Sequence, residues 1–130
     1  MTTDPVGDLL VRLQNASRVG HGSAAMPFSK VKAAVAEVLK REGYVGAVKH
    51  TGEPVRQLEV ALKYRDDGRP TISGTRRISK PSRRMYLGLR DIRPVKRGYG
   101  LLVLSTPRGI LSGKEAREQK VGGEALFEIW

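Results

Sequence analysis

The side chains best placed to do chemistry in this chain are hydroxyls and cations rather than a catalytic set. Ser105-Thr106-Pro107-Arg108-Gly109 follows directly on the apolar run Leu101-Leu102-Val103-Leu104, which is short enough to be a buried strand. Two hydroxyls and an arginine therefore stand at the end of a rigid element. Short polar side chains on such a turn suit hydrogen bonding to the edges and sugars of unpaired or distorted bases. Arg108 adds a phosphate contact or a stacking plane. From these five residues alone, a plain Ser-Thr-Pro turn is an equally good reading. Glu124, an acid beside Gly122-Gly123 in a basic region, is either a strand-edge carboxylate or a group that orients cations or accepts from a base amine.

Catalysis is poorly served. Ser105 as a nucleophile needs a base. His21 and His50, the two histidines, lie beside glycines in predicted loops with no neighbour to complete a dyad or a metal pair. The absence of cysteine excludes disulfides, thiolate metal sites and cysteine nucleophiles, and fits a reducing compartment. None of the thirteen carboxylates sits at a spacing that suggests acid–base work. Gly98-Tyr99-Gly100 precedes a strand instead of following one, so it is not a dinucleotide turn. Gly122-Gly123 reads as a turn. No enzyme, cofactor or small-molecule substrate is implied.

Charge points outward. Twenty-four Lys and Arg against thirteen Asp and Glu leave +11, which is most easily explained by an anionic partner. A polyphosphate is the usual one, although an anionic membrane or an acidic protein satisfies the number too. The excess is uneven: residues 1–65 carry ten basic and six acidic groups, residues 66–130 fourteen and seven. Between Arg76 and Arg97 nine cations (Arg76, Arg77, Lys80, Arg83, Arg84, Arg90, Arg93, Lys96, Arg97) face a single acid, Asp91. Without counter-charges such a block is costly on a packed surface. It reads as a phosphate-gripping rim or, more blandly, as a solvated loop.

Two sets of elements must carry these residues. Val6, Leu9, Leu10 and Leu13 form one stripe of a helix over 5–17, capped by Asp4 and started by Pro5, with Arg12 and Asn15 on faces open to a partner. A second helix follows Ser29, with Val31, Ala34, Val35, Val38 and Leu39 inward and Gly43 as its stop. A short strand near Met26, another over 44–49, a turn at 51–54 and an alternating strand over 57–64 complete an N-terminal α/β domain, 1–66. The Asp66-Asp67-Gly68-Arg69-Pro70 turn marks the boundary. The C-terminal domain, 67–130, is mostly antiparallel β: short strands within 71–78 and 85–87, the buried run 101–104, a hairpin partner over 108–112, one or two helical turns over 114–120 and a last strand over 125–130. The fold class is α+β, with helices packed on a short sheet in the first domain. Met1-Thr2-Thr3-Asp4-Pro5 lacks the order of a signal peptide, and no apolar run nears the roughly 20 residues of a membrane span. A cytoplasmic protein with no membrane partner is expected.

Taken together, these motifs resemble small-subunit ribosomal protein eight of bacterial type. Asp4-Pro5-Val6-Gly7-Asp8-Leu9-Leu10 with Arg12 to Ala16 is similar to that family's first helix. Arg77 to Tyr86 is similar to its central basic loop, and Gly98 to Gly109 to its RNA-contacting turn. Ala116-Arg117 and Val121-Gly122-Gly123-Glu124 to Trp130 complete a pattern spanning nearly the whole chain. The resemblance implies a structural constituent of the small ribosomal subunit that binds the central domain of 16S rRNA directly and supports assembly of the subunit platform. Neighbouring small-subunit proteins are implied partners; some members also bind their own operon messenger, which stays open here. On matching positions it assigns Tyr86, Ser105, Thr106, Gly109, Gly123 and Glu124 to the RNA interface of the second domain, and Asp4, Arg12, Asn15 and Lys30 to the first. Lys80, Arg83, Arg84, Pro107 and Arg108 join them as rim and turn.

Three positions depart from the family. Pro107 replaces a hydroxyl residue and removes a backbone donor. Ser82 replaces a common glycine, so the loop must avoid positive φ or accept strain. Ser112-Gly113 stands where a Thr-Asp cap is usual, which predicts a weaker cap. The competing reading of the same charge is a general nucleoid-type protein with no preference for RNA over DNA.

Overall fold

The computed structural model describes residues 4–52, 55–95 and 98–130. Glu53, Pro54, Lys96 and Arg97, and with them part of the predicted 51–54 turn and two cations of the basic stretch, lie outside the described residues, as do positions 1–3. The chain forms two compact units, Pro5–Ser73 and Gly74–Trp130, the latter including Asp4. The division falls after Ser73 and not in the 66–70 turn, because Tyr64 bridges Pro70 and Thr71 N donates to Lys63 O, which ties that turn to the N-terminal unit.

The N-terminal unit runs α1 (Pro5–Arg18), β1 (Ser23–Pro27), α2 (Lys30–Arg41), β2 (Val45–Thr51) and β3 (Gln57–Leu62). Its sheet is antiparallel with β3 in the centre, in the order β1-β3-β2. Val6, Leu9, Leu10 and Leu13 of α1 and Val35, Val38 and Leu39 of α2 bury against Met26, Val45, Leu58 and Val60. The stripe predicted for α1 is the one observed. That of α2 is rotated: Val31 is 41% exposed, while Lys32 is buried at 6%. Ser29 caps the helix as expected, its hydroxyl accepting from Lys32 N at 3.0 Å. The rotation follows from a distant partner for the Lys32 ammonium, described below. His50, expected in a loop, is in β2.

The C-terminal unit comprises β4 (Thr75–Arg77), β5 (Tyr86–Leu87), a 3-10 turn (Leu89–Asp91), β6 (Leu101–Thr106), β7 (Gly109–Ser112), α3 (Gly113–Glu118) and β8 (Gly123–Ile129). The sheet order is β4-β8-β6-β7, and β5 also pairs with β8. Leu102, Leu104, Leu111, Ala116 and Ala125 form the core with Ile92 and Val95.

Two expectations change here. Gly122-Gly123 is not a turn, since Gly123 begins β8. A Cβ on Gly123 would come 2.2 Å from Ser105 O, and one on Gly122 2.4 Å from Leu87 O, so the pair lets three backbones close up. The α3 cap is not weakened either. Ser112 Oγ accepts from Glu115 N at 3.1 Å and Glu115 Oε1 accepts from Ser112 N at 3.0 Å, a complete capping box. Gly113 packs closely beside it: a Cβ there would lie 3.3 and 3.4 Å from Ile92 and Leu102.

Candidate nucleic-acid interface

Strand register builds the centre of the C-terminal surface. Ser105 of β6 lies opposite Glu124 of β8, and Glu124 opposite Tyr86 of β5. Directly opposed residues of antiparallel strands share a face, and adjacent strands lie about 4.8 Å apart, so the row is about 10 Å long. The next row, Leu104 and Ala125, points into the core, which turns the Ser105–Glu124–Tyr86 row away from it. Tyr86 is 71% exposed. Among the described residues none bonds the Ser105 hydroxyl.

Glu124 is held in this row by Arg84, whose Nη1 donates to Glu124 Oε2 at 3.1 Å. Of the alternatives for this carboxylate, orienting an arginine is the one the geometry displays. The β6–β7 hairpin closes beside the row. Thr106 Oγ1 donates to Gly109 O at 2.8 Å and accepts from Arg108 N at 3.1 Å, while Gly109 takes φ +105°. Thr106 thus spends its single donor inside the turn and keeps a lone pair for an incoming donor. Pro107 and Arg108 are exposed at the tip. A proline tolerates this position because the turn draws its donor from Arg108.

The basic loop is a rigid excursion between β4 and β5. Ser79, 1% exposed, accepts from Met85 N at 2.8 Å and donates to Met85 O at 3.2 Å, which pins both ends of the loop. Lys80 and Arg83 exchange backbone hydrogen bonds of 2.8 and 2.9 Å across Pro81-Ser82. Lys120 alone among the described non-glycine residues has positive φ, so Ser82 sits without strain, and proline supplies the first corner of the turn. A hollow of about 360 Å³ opens here, lined by Arg76, Arg77, Ile78, Lys80, Arg83 and Met85.

The cationic block is not bare of counter-charge, as its local sequence suggests. Arg76 Nε meets Glu128 at 2.8 Å, Arg77 Nη1 meets Asp4 at 2.7 Å, and Arg84 meets Glu124. Lys80, Arg83, Arg90 and Arg93 are exposed and have no carboxylate partner among the described residues. Asp4 therefore belongs to this unit, with its carboxylate engaged by Arg77.

The other first-domain candidates are less closely grouped. Arg12 and Asn15 are exposed on α1 and line one shallow hollow of about 390 Å³ with Ala16, Val19 and His21. Arg12 is tethered, giving 2.9 and 3.2 Å bonds to Asp8 Oδ1 and Ala25 O. Lys30 is exposed at the start of α2. Asp8 also takes a hydrogen bond from Lys32 Nζ, whose side chain is 8% exposed. That bond, opposed by burial and assisted by Arg12, holds the Asp8 carboxyl below its ordinary 3.8. Asp8, Lys32 and Ser79 escaped the sequence reading. Only the i, i+4 spacing of Asp8 and Arg12 gave a local signal.

Fold and surface together define a small, basic α+β protein with its polar groups fixed by backbone register. Residues 4–130 match the model of the family described as ribosomal protein S8, and the chain belongs to that family, whose members are structural proteins rather than enzymes. It is 47% identical over 130 residues to small ribosomal subunit protein uS8 of Nitratidesulfovibrio vulgaris strain Miyazaki F, covering all of both chains. It is 46% identical to the protein of that name from Chloroflexus aggregans, over 98% of this chain and 97% of the relative. With that of Sorangium cellulosum it shares 44% identity over the full length of both.

Proposed function

We propose that this chain is a structural component of the small ribosomal subunit that binds the central domain of 16S rRNA directly and supports assembly of the platform. The observation that carries the reading is the in-register row Ser105–Glu124–Tyr86, framed by cations without carboxylate partners among the described residues. Lys80, Arg83, Arg90 and Arg93 neutralise phosphates and set register, a contribution that weakens with salt. The Ser105 hydroxyl offers a donor and acceptors to a base edge or a 2′-hydroxyl, and Tyr86 offers a ring on which a splayed base stacks. Glu124 keeps Arg84 oriented and, neutralised by it, does not repel the backbone. Gly123 is required because Ser105 and Glu124 come together only where the backbone of β8 touches that of β6.

Neighbouring small-subunit proteins are the partners that follow from this role, in the cytoplasmic ribosome. A similar structure in its own operon messenger is a further proposed target. The test is binding of the purified chain to transcripts of the separate 16S domains, to duplex DNA and to a featureless polyanion. The central-domain transcript should bind most tightly. With about six phosphates engaged, log affinity should fall against log salt with a slope of roughly −4 to −5. Equal affinity for all of them would favour a nucleoid-type protein and sink the proposal.

A further inference from the structure

At one end of the three-stranded sheet, Arg56 and His50 both pack against the Phe28 ring. The Arg56 guanidinium carbon lies 4.1 Å from the centroid of the Phe28 ring, and the His50 ring lies 5.3 Å from the same centroid, tilted by 49°. The backbone fixes this arrangement. Phe28 N donates to Arg56 O at 3.1 Å, directly beyond the Pro27–Gln57 pair that ends the β1–β3 ladder, and His50 faces Leu58 from β2.

Nothing in the packing of the unit requires an arginine here. Arg56 and His50 are exposed, whereas the core beneath is closed by Met26 and Leu58, 1% and 0% exposed. Arg56 pairs with no carboxylate among the described residues. A guanidinium drawn onto a ring by cation–π attraction loses the freedom of a long side chain while keeping its charge and its second planar face. Such a plane is suited to a π-system with anionic groups attached. Lys30, exposed at the start of α2, stands two residues from Phe28 and adds positive charge near it.

We infer that Arg56, held by Phe28, is a stacking plane for an unpaired nucleobase of RNA, with Lys30 taking an adjoining phosphate. This rests on the RNA-binding reading above and adds a base contact in the N-terminal unit, at residues outside the family's motifs. Stacking and charge make different demands on the side chain, and Arg56→Lys separates them because it keeps the cation and removes the plane.

The experiment compares full-length wild type, Arg56→Lys, Arg56→Ala and Phe28→Leu for affinity, salt slope and base-reactivity footprint on the central-domain 16S transcript. Thermal melts serve as the check on folding. Arg56→Lys should weaken binding on the order of tenfold, as for loss of one stacked base, with an unchanged salt slope. At least one unpaired base protected by wild type should become reactive. Phe28→Leu should reproduce a large part of that loss by releasing the guanidinium. Wild-type affinity and an unaltered footprint for Arg56→Lys would overturn the inference, whether the cation acts by charge alone or the stack faces a protein. Those outcomes leave the RNA-binding reading standing. Failure of wild type to prefer the transcript over a polyanion would instead remove the reading itself.

Discussion

The ion pair that matters most in each unit does a different job. In the N-terminal unit, Lys32 is buried against Asp8, which also receives the exposed Arg12, so one positive charge is turned inward and fixes how α2 sits on α1, while Arg69 and Asp67 pair at the surface. In the C-terminal unit, Arg76 and Arg84 meet carboxylates at the surface, with side-chain exposures of 68 and 53%, while Arg77 is half-buried against Asp4. The surface pairs orient side chains that remain in contact with solvent. A buried pair is costly to break from one side, because the remaining charge is stranded, whereas a surface pair contributes little to stability and much to geometry. Damage to the first pattern should therefore register in folding, and damage to the second in recognition.

The change that should violate this division most strongly is Gly123→Ala, because it strikes both. A Cβ placed 2.2 Å from Ser105 O must push β8 away from β6, for about 3 kcal/mol of destabilisation. It also pulls the Ser105–Glu124 row apart. Urea unfolding should show the loss, and RNA binding by the folded fraction should fall with it. Gly22→Ala in the N-terminal unit, where nothing lies within 4 Å, is the matched control and should be nearly silent. Near-native stability for Gly123→Ala would mean that the strands can part without consequence.

Next in size is Asp8→Asn. It leaves the Lys32 ammonium buried without a carboxylate and should cost about 2 kcal/mol, below the 3–5 of a fully enclosed pair because water reaches the Asp8 side. The pH dependence has a definite sign. The Asp8 carboxyl is depressed in the folded protein, so its contribution is complete above its unfolded value near 3.8 and is lost as pH falls through the folded value. Denaturation curves from pH 6 to pH 2 should show that loss in wild type and a smaller one in Asp8→Asn. Parallel curves would show that the pair contributes nothing to folding.

These contrasts also mark what the sequence could reveal. The α1 stripe and the buried β6 run were legible because their signals are local, a 3.6-residue repeat and four consecutive apolar residues. The face of α2 was not, because the partner that buries Lys32 is 24 residues away. Likewise, the counter-charges for Arg84, Arg76 and Arg77 come from 40, 52 and 73 residues away, so a locally uncompensated block turned out to be partly compensated. The motif around Ser105 was visible, but its in-register alignment with Glu124 and Tyr86 is a property of strand pairing. Gly122-Gly123 was misread for the same reason: a close approach to another strand leaves the same trace in a sequence as a turn.

The recognition side is sharpened by pairing Ser105→Ala with Arg83→Ala. Ser105 has a hydroxyl with no bond to the described residues, so its removal should leave stability unchanged and reduce affinity for the central-domain transcript by roughly tenfold, the worth of a hydrogen bond to a partly desolvated partner. Binding to random duplex should hardly move. Arg83→Ala should weaken both by a similar few-fold and make the salt slope shallower by about 1. Arg84→Ala is the less clean probe of phosphate contact, because it also strands the Glu124 carboxylate. Equal losses on both nucleic acids for Ser105→Ala and Arg83→Ala would erase the distinction between reading and gripping.

The smallest effect tests whether the outward-facing unit carries cost of its own. Lys120 holds φ +57°, a region in which a side chain is disfavoured and glycine is not. It does so where α3 ends, with Lys120 N donating to Arg117 O at 3.2 Å and Val121 N to Ala116 O at 3.0 Å, a closure in which glycine is the usual residue. Lys120→Gly should relieve the strain and, after the added entropy of the unfolded chain, raise stability by about 0.5–1 kcal/mol. A calorimetric melting temperature a few degrees higher would register it. The same variant removes one exposed cation three residues before Gly123, so its salt slope on the central-domain transcript should become shallower even as the fold gains. A gain in stability with an unchanged slope would mean that Lys120 serves only the helix end, and that the strained residue lies outside the phosphate-binding surface.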